Sequence, residues 1–332
     1  MFRASAPVRL DFAGGWTDVP PFATEERGVV VNGAIELRVH AELELGGERY
    51  LVRSSELGQT AELREGVWID DQALGLELHR AALQHGDIGP FVLSTRSEVP
   101  PGSGLGGSGA LGVALMAVLD AARDMSRSPA ALAEAAFQLE AFEAALPGGK
   151  QDQYAAALGG FHRLELTRDA VTPERLDLDP EFLALLEQRI VLCYTGTSRV
   201  SSSMISRVMG SYTAGHPGVV NALRAMVDVA DRLGKALQAG DLAETGRLLT
   251  ANWRLQQQLD PGMCTPDMAR LETAMIAAGA LGGKAAGAGA GGSMFFLAGS
   301  DVRSAAHAAE QAGAQLLPFR WAGRGAYVET VP

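Results

Sequence analysis

One run, Pro100-Pro-Gly-Ser-Gly-Leu-Gly-Gly-Ser-Gly-Ala110, constrains this chain more than any other stretch. It follows a strand-like segment, Pro90 to Val99, and opens into an apolar helix over Leu111 to Leu119. A glycine-rich turn at a helix start presents unpaired N–H groups at the positive end of the helix dipole. With few side chains in the way, a bulky anion can approach that backbone closely. Phosphate suits such a loop, and a plain structural turn is the other reading. The residues of the loop alone leave both open.

Spacing adds little. Gly102, Gly104 and Gly107 fit the G-x-G-x-x-G pattern, and so do Gly287, Gly289 and Gly292, but the chain carries 40 glycines. A dinucleotide site also wants the loop in a first βαβ unit, with an acidic residue about 20 positions on. Here many residues precede the loop, and Asp120 and Asp124 lie too close to its helix. The phosphate-loop ending Gly-Lys-Ser/Thr is absent, since Gly283-Lys284 is followed by Ala285.

A length of 332 residues suggests two domains, and 47% hydrophobic content suffices for ordinary cores. The net charge of −11 opposes a nucleic-acid or anionic-membrane partner. Cys193 and Cys264 give neither a disulfide framework nor metal spacing. The first residues lack a signal-peptide core, and the longest apolar run, Ala110 to Leu119, is too short to span a bilayer. A cytoplasmic, soluble protein is expected.

The first third reads as strands. Val29 to Leu45 ends in apolar–charged alternation, and Gly46-Gly47 signals a hairpin returning over Glu48–Arg53. Helices are expected over Ala73–His85 and from Ser128-Pro129 to Leu146, where Pro147-Gly148-Gly149 stops the second. Strand Phe161–Leu166 precedes a polar crossover, Thr167 to Glu187. Then come strand Arg189–Tyr194 and helices near Ser201–Ser211, Val219–Leu237, Leu242–Leu259 and Pro266–Ala278. Strand Ser293–Leu297, helix Val302–Ala312 and strand Ala326–Val331 close the chain. The fold class is α+β in both halves.

Three further constellations stand out. In Arg9-Leu-Asp-Phe-Ala-Gly-Gly-Trp-Thr-Asp18, an aromatic face beside a carboxylate suits a sugar; a proline-rigidified turn is the alternative. In Gly148-Gly149-Lys150-Gln-Asp152, lysine and aspartate suit acid–base and charge-stabilising work, or simply a helix start. Glu140 lies along an apolar stripe with Ala136, Phe137 and Ala144. There it either meets a cation or metal, or stays solvated at the stripe's edge. His79 and His85 are assigned no function.

Order and spacing of these pieces bring in a family. The chain resembles the GHMP small-molecule kinases through three motifs in register: Ala6–Asp18, Pro100–Ala110 and Gly282–Gly292. Within that family, Gly148–Phe161, Thr195–Ser203 and Asp18-Val-Pro-Pro-Phe22 look like the heptose 7-phosphate kinases, while Gly-Gly-Trp-Thr-Asp is also similar to fucokinases. The resemblance implies an N-terminal domain of ribosomal-protein-S5 type over 1–180 and a ferredoxin-like domain over 181–332. It implies ATP and Mg²⁺ as cofactors, a sugar or sugar phosphate as partner, and a monomer or homodimer.

Carried over residue by residue, Asp152 and Arg9 become catalytic, and Ser108 and Glu140 the magnesium pair. Pro101, Gly102, Ser103, Gly104, Leu105, Gly106, Gly107, Ser108 and Gly109 become the ATP loop. Trp16, Thr17, Asp18, Gly148, Gly149, Lys150 and Gly289 become substrate contacts, with Arg199 and Lys284 for a distal phosphate. Relatives usually carry Gly-Leu-Gly-Ser-Ser in the loop, whereas Gly107 and Gly109 here bracket a single Ser108. The expected reaction is ATP-dependent phosphorylation of the anomeric hydroxyl of heptose 7-phosphate. The alternatives are a fucokinase-like free-sugar kinase and a catalytically silent sugar and ATP sensor.

Overall fold

The computed structural model describes residues 1–64, 67–68, 75–84, 88–196 and 201–331. The strands are β1 (Phe2–Ala13), β2 (Gly28–Leu45), β3 (Tyr50–Ser54), β4 (Gln59–Arg64), β5 (Val67–Trp68), β6 (Phe91–Ser97), β7 (Phe161–Leu166), β8 (Val171–Arg175), β9 (Ile190–Tyr194), β10 (Gly282–Ala285), β11 (Ser293–Leu297), β12 (Gln315–Leu316) and β13 (Tyr327–Thr330). The helices are α1 (Phe22–Glu25), α2 (Glu77–Leu83), α3 (Gly107–Ala122), α4 (Pro129–Gln138), α5 (Gln151–Leu158), α6 (Pro180–Arg189), α7 (Ser201–Thr213), α8 (Pro217–Gln238), α9 (Leu242–Gln256), α10 (Pro266–Ala277) and α11 (Val302–Gln311).

Two sheets organise these elements. The larger runs β13-β1-β2-β6-β3-β4-β5, with β7 and β8 paired on from β2, and the smaller runs β10-β11-β9-β12. Burial in β1 is unbroken from Ala4 to Ala13. Helices α3 and α5 pack on it, and α8 from the second half does too. A strand covered on both faces loses the alternation of a half-exposed one. Helix α3 is apolar nearly all round for the same reason, buried between β1–β2 and helices α2, α4 and α5. Phe12 of β1 meets Phe295 of β11 at 5.3 Å, so the two sheets share one apolar junction.

Several expectations need correction. Gly46-Gly47 closes no hairpin, because β6 inserts between β2 and β3, and Phe91 pairs with both Leu45 and Tyr50. The Gly46 N–H donates to Pro90 O instead. Burying Leu43 and Leu93 side by side outweighs a local turn signal. The polar segment Thr167–Glu187 holds β8 and the start of α6, whose Asp179 side chain caps the Glu181 and Phe182 N–H groups. The helix begun at Pro129, capped by Ser128, ends at Gln138 and widens into a π turn over Leu139–Glu143.

Of the segment expected over Ala73–His85, the described part is helical over Glu77–Leu83, and His85 lies outside the described residues. The stretch after residue 180 builds the smaller sheet, yet its last strand, β13, returns to pair with β1. Cys193 sits buried in β9, where burial pushes its thiol up to about 12, and both cysteines are free. Among the described residues no helix is long and apolar enough to cross a membrane.

Candidate active site

A cavity of about 400 Å³ opens where the three glycine-bearing motifs converge. Its geometry starts at Arg9, in the middle of β1 and only 4% exposed. The Arg9 Nε donates to Asp152 Oδ1 at 2.8 Å, and its Nη1 donates to both Gly104 O and Ala286 O at 2.8 Å. One guanidinium therefore ties strand, loop and third motif together, using the fork of donors that lysine lacks. The Arg9 backbone N–H adds a bond to Leu105 O.

Gly106 caps α3 in the left-handed conformation, φ 81°, and it lines the cavity at the start of that helix. Gly102, Ser103, Gly104, Gly107 and Ser108 line the cavity, as does exposed Pro101. Leu105 and Gly109 do not line it: Leu105 is core, and Gly109 packs against Asp152. The third motif seats on the loop by close backbone approach. A Cβ at Gly287 would collide with Gly104 O, which is why that position holds glycine.

Asp152 stands in the first turn of α5, its side chain 24% exposed on the cavity wall. Glu140, from the π turn, accepts from Gln153 Nε2 at 2.6 Å. Burial pushes the Glu140 carboxyl up to about 7; the Ser108 hydroxyl and the Gln153 amide pull it down, and Asp152 pushes it further up. A carboxylate short of a cation, beside a hydroxyl, fits a hard divalent ion. Magnesium asks little more of protein, since phosphates and waters complete its shell. No cluster of three or more metal-binding side chains occurs among the described residues.

Asp18 sits opposite. Its Oδ2 accepts the Gln151 N–H at 3.1 Å, its Oδ1 has no donor among the described residues, and Gly149 passes so close that a Cβ there would strike the carboxylate. Burial, chiefly, pushes Asp18 up to about 7, and Asp152 and Asp11 add repulsion. A carboxyl raised in the folded state contributes stability at low pH that is lost as pH rises through that value. Asp18→Asn should therefore melt above the parent protein at pH 8, by ~2–4 kcal/mol, and the gap should close toward pH 4. Scanning calorimetry at both pH values checks this; an equal gap at each would exclude Asp18 as the group.

The remaining expected contacts divide. Trp16, Gly148 and Gly149 line the cavity, although the Trp16 indole N–H is committed to Ala288 O and only 4% of the residue is exposed. Thr17 is corrected: it is fully buried, and its hydroxyl shares its one proton between Gly14 O and Val29 O while accepting the Val29 N–H. Lys150 is corrected as well, because both Glu134 oxygens hold its ammonium at 2.9 Å and it does not line the cavity. Gly289 lies against Met263, and Gly287 and Ala288 take its place on the wall.

Lys284 is the largest correction. It is 0% exposed, and its ammonium donates to Asp11 Oδ2, Asp11 O and Ala285 O at 2.7–2.8 Å. Every proton is spent, so none is left for a phosphate. Arg199 lies outside the described residues. Residues that sequence reasoning missed are Asp11 and Gln153. Asp11 stands two positions from Arg9 on the same strand, so the period of two placed it on the Arg9 face.

Comparison with known proteins now decides the family. The model for the N-terminal domain of GHMP kinases matches residues 73–160, and the model for the C-terminal domain matches residues 234–315, together just over half of the chain. The chain belongs to the GHMP kinases. With that family come its two-domain fold and ATP-dependent phosphotransfer to a hydroxyl group. The chain is 29% identical to D-glycero-alpha-D-manno-heptose 7-phosphate kinase of Campylobacter jejuni, over 89% of this chain and 88% of that one. It is 26% identical to a bifunctional fucokinase/GDP-fucose pyrophosphorylase of Arabidopsis thaliana, over 89% of this chain but only 30% of that one. A solved D-glycero-D-manno-heptose 1-phosphate kinase from Bacteroides thetaiotaomicron shares the fold, with TM-score 0.81 and 24% identity across the whole of both chains.

Proposed function

We propose that this GHMP kinase transfers the γ-phosphoryl group of ATP to the anomeric hydroxyl of D-glycero-D-manno-heptose 7-phosphate, giving the 1,7-bisphosphate for nucleotide-heptose synthesis. The observation that carries the reading is Asp152, fixed by Arg9 at 2.8 Å on the wall facing the glycine loop. In our reading residues 1–180 carry the nucleotide site and residues 181–332 close it from the side of Gly287 and Ala288. The similarity to the Campylobacter jejuni enzyme supports the choice of sugar.

Phosphoryl transfer needs positioning and charge neutralisation above all. The free amides at the start of α3 would cradle the phosphates. Asp152 would accept the proton of the attacking hydroxyl or orient it, and Arg9 would keep that carboxylate in place. Asp18, with an unpaired oxygen, would accept sugar hydroxyls. Ser108 and Glu140 would hold magnesium, which when bound supplies positive charge to the transferring phosphate. Ser108→Ala should raise the Mg²⁺ concentration for half-maximal activity by about tenfold while the sugar KM stays within a factor of two or so. An unchanged Mg²⁺ requirement would remove Ser108 from that role.

One observation favours a second reading, a kinase for an uncharged sugar such as fucose. Among the described residues on the wall, Arg9 is the sole cation, while Asp11, Asp18, Glu56, Glu140 and Asp152 are acidic. A coupled ADP-release assay over heptose 7-phosphate, fucose and galactose, with phosphorus NMR on the product, separates the two. Turnover of free sugars alone would replace the heptose phosphate reading. ADP above background with none of them would favour a silent sensor.

A further inference from the structure

Trp16 stands on the cavity wall with a φ of 85°, in the left-handed region that an aromatic residue seldom adopts. Such a conformation persists where its surroundings over-determine it, and it gathers at ligand-binding sites. Here it belongs to a turn over residues 14–19 that also carries Asp18 to the wall. Gly14 O accepts the Thr17 N–H at 2.9 Å and the Thr17 hydroxyl at 2.7 Å, and the Val19 N–H donates to Trp16 O at 3.2 Å. Two further holds come from the second half of the chain.

Helix α9 supplies them. Asn252 Oδ1 accepts the Gly14 N–H at 3.0 Å, and one turn further on Gln256 Nε2 donates to Gly287 O at 2.9 Å. Gly287 and Ala288 also line the cavity, and Ala288 O accepts the Trp16 indole N–H at 3.3 Å. The turn and the strip that receives its indole are thus pinned to one face of one helix. Both amide side chains are 0% exposed, in a helix whose other buried residues include Leu248, Leu249 and Trp253. Asn252 Nδ2 and Gln256 Oε1 have no partner among the described residues, so each buried amide leaves one end unsatisfied. Leucine or methionine would fill these places at less cost if packing were the whole task.

We propose that Asn252 and Gln256 are positioning residues for the sugar: from α9 they fix the turn of Trp16 and Asp18, and the Gly287–Ala288 strip that holds the indole, and so set the shape of the sugar subsite. Among the described residues neither side chain bonds the glycine loop. That loop hangs instead on Arg9, through Gly104 O, and on the Ser293 N–H, which donates to Ser103 O. Sugar binding should therefore depend on the two amides, and nucleotide binding should not. The proposal rests on the sugar-kinase reading, because it needs a sugar seated against Trp16 and Asp18.

Steady-state kinetics with heptose 7-phosphate, or with the free sugar that the wild-type protein phosphorylates, and equilibrium binding of ATP test it on the intact chain. The two positions need opposite chemistry, an acceptor at 252 and a donor at 256. Asn252→Leu and Gln256→Met remove these with little change of volume. Each should raise the sugar KM by about tenfold while ATP affinity stays within a factor of two or so. Asn252→Asp keeps the acceptor and should hold the wild-type KM, whereas Gln256→Glu sets a carboxylate against Gly287 O and should raise KM as Gln256→Met does. Both acid variants bury a carboxylate and should lose melting temperature alike, so the split in KM reads the hydrogen bonds rather than stability. A sugar KM unchanged in Asn252→Leu and Gln256→Met, or raised equally in both acid variants, overturns the assignment and leaves the kinase reading intact. A parallel loss of ATP affinity in Asn252→Leu and Gln256→Met would make α9 a support of the nucleotide site and overturn it as well. Failure of the wild-type protein to phosphorylate any sugar would sink the proposal together with the kinase reading.

Discussion

Asp152→Asn should reduce phosphoryl transfer by about two to four orders of magnitude and leave ATP binding nearly unchanged. The asparagine is isosteric, and its amide oxygen can still accept the Arg9 Nε hydrogen bond that holds position 152 at 2.8 Å. The loop, tied to Arg9 through Gly104 O, therefore stays in place. What disappears is the negative charge and the capacity to take a proton from the attacking hydroxyl. The loss belongs in kcat rather than in the KM for ATP, the pattern of an interaction made mainly in the transition state. Single-turnover measurement of phosphate transfer, with nucleotide binding followed separately, reads the two apart. Near-normal turnover in this variant would remove Asp152 from the mechanism, and an equal loss of ATP affinity would make it a structural support of the loop.

What could be read from the sequence was local. The glycine run, the cap at Ser128 and the strand Ser293–Leu297 each announce themselves within a few neighbours, and each lies in the structure where its chemistry placed it. Glu140 was legible as a carboxylate in apolar company, yet its environment depends on a π turn that helical periodicity does not contain. The same turn presents it to Gln153, and that contact was out of sight. The insertion of β6 between β2 and β3 was equally hidden, because pairing partners in a sheet are chosen by distant apolar strands. In contrast, Asp179-Pro180 carried a helix-start signal that composition masked: a capping side chain followed by proline at the first helical position. The triple use of Arg9, on a strand, a loop and a third motif, explains why the motifs are far apart in sequence and meaningful only together.

Lys284→Met should destabilise the protein by about 3–5 kcal/mol. Lys284 and Asp11 form a pair 0% and 1% exposed at 2.8 Å, at the junction of β10 with β1. Burial pulls the ammonium below its ordinary value, and the Asp11 carboxylate opposes that pull. Methionine fills much of the lysine's volume, so the cost comes less from a cavity than from Asp11. That carboxylate would keep one oxygen already without a donor and lose the partner of the other. A second substitution supplies the control. Asp11→Asn with Lys284→Met should recover part of the loss, because the buried negative charge is gone. Denaturant melts of the two single variants and the double variant measure the coupling. A phosphate ligand would behave otherwise: its removal would leave the melt unchanged and raise the KM for a phosphorylated sugar. Wild-type stability in Lys284→Met would overturn the structural role, and the KM for heptose 7-phosphate would then be the place to look for the missing charge.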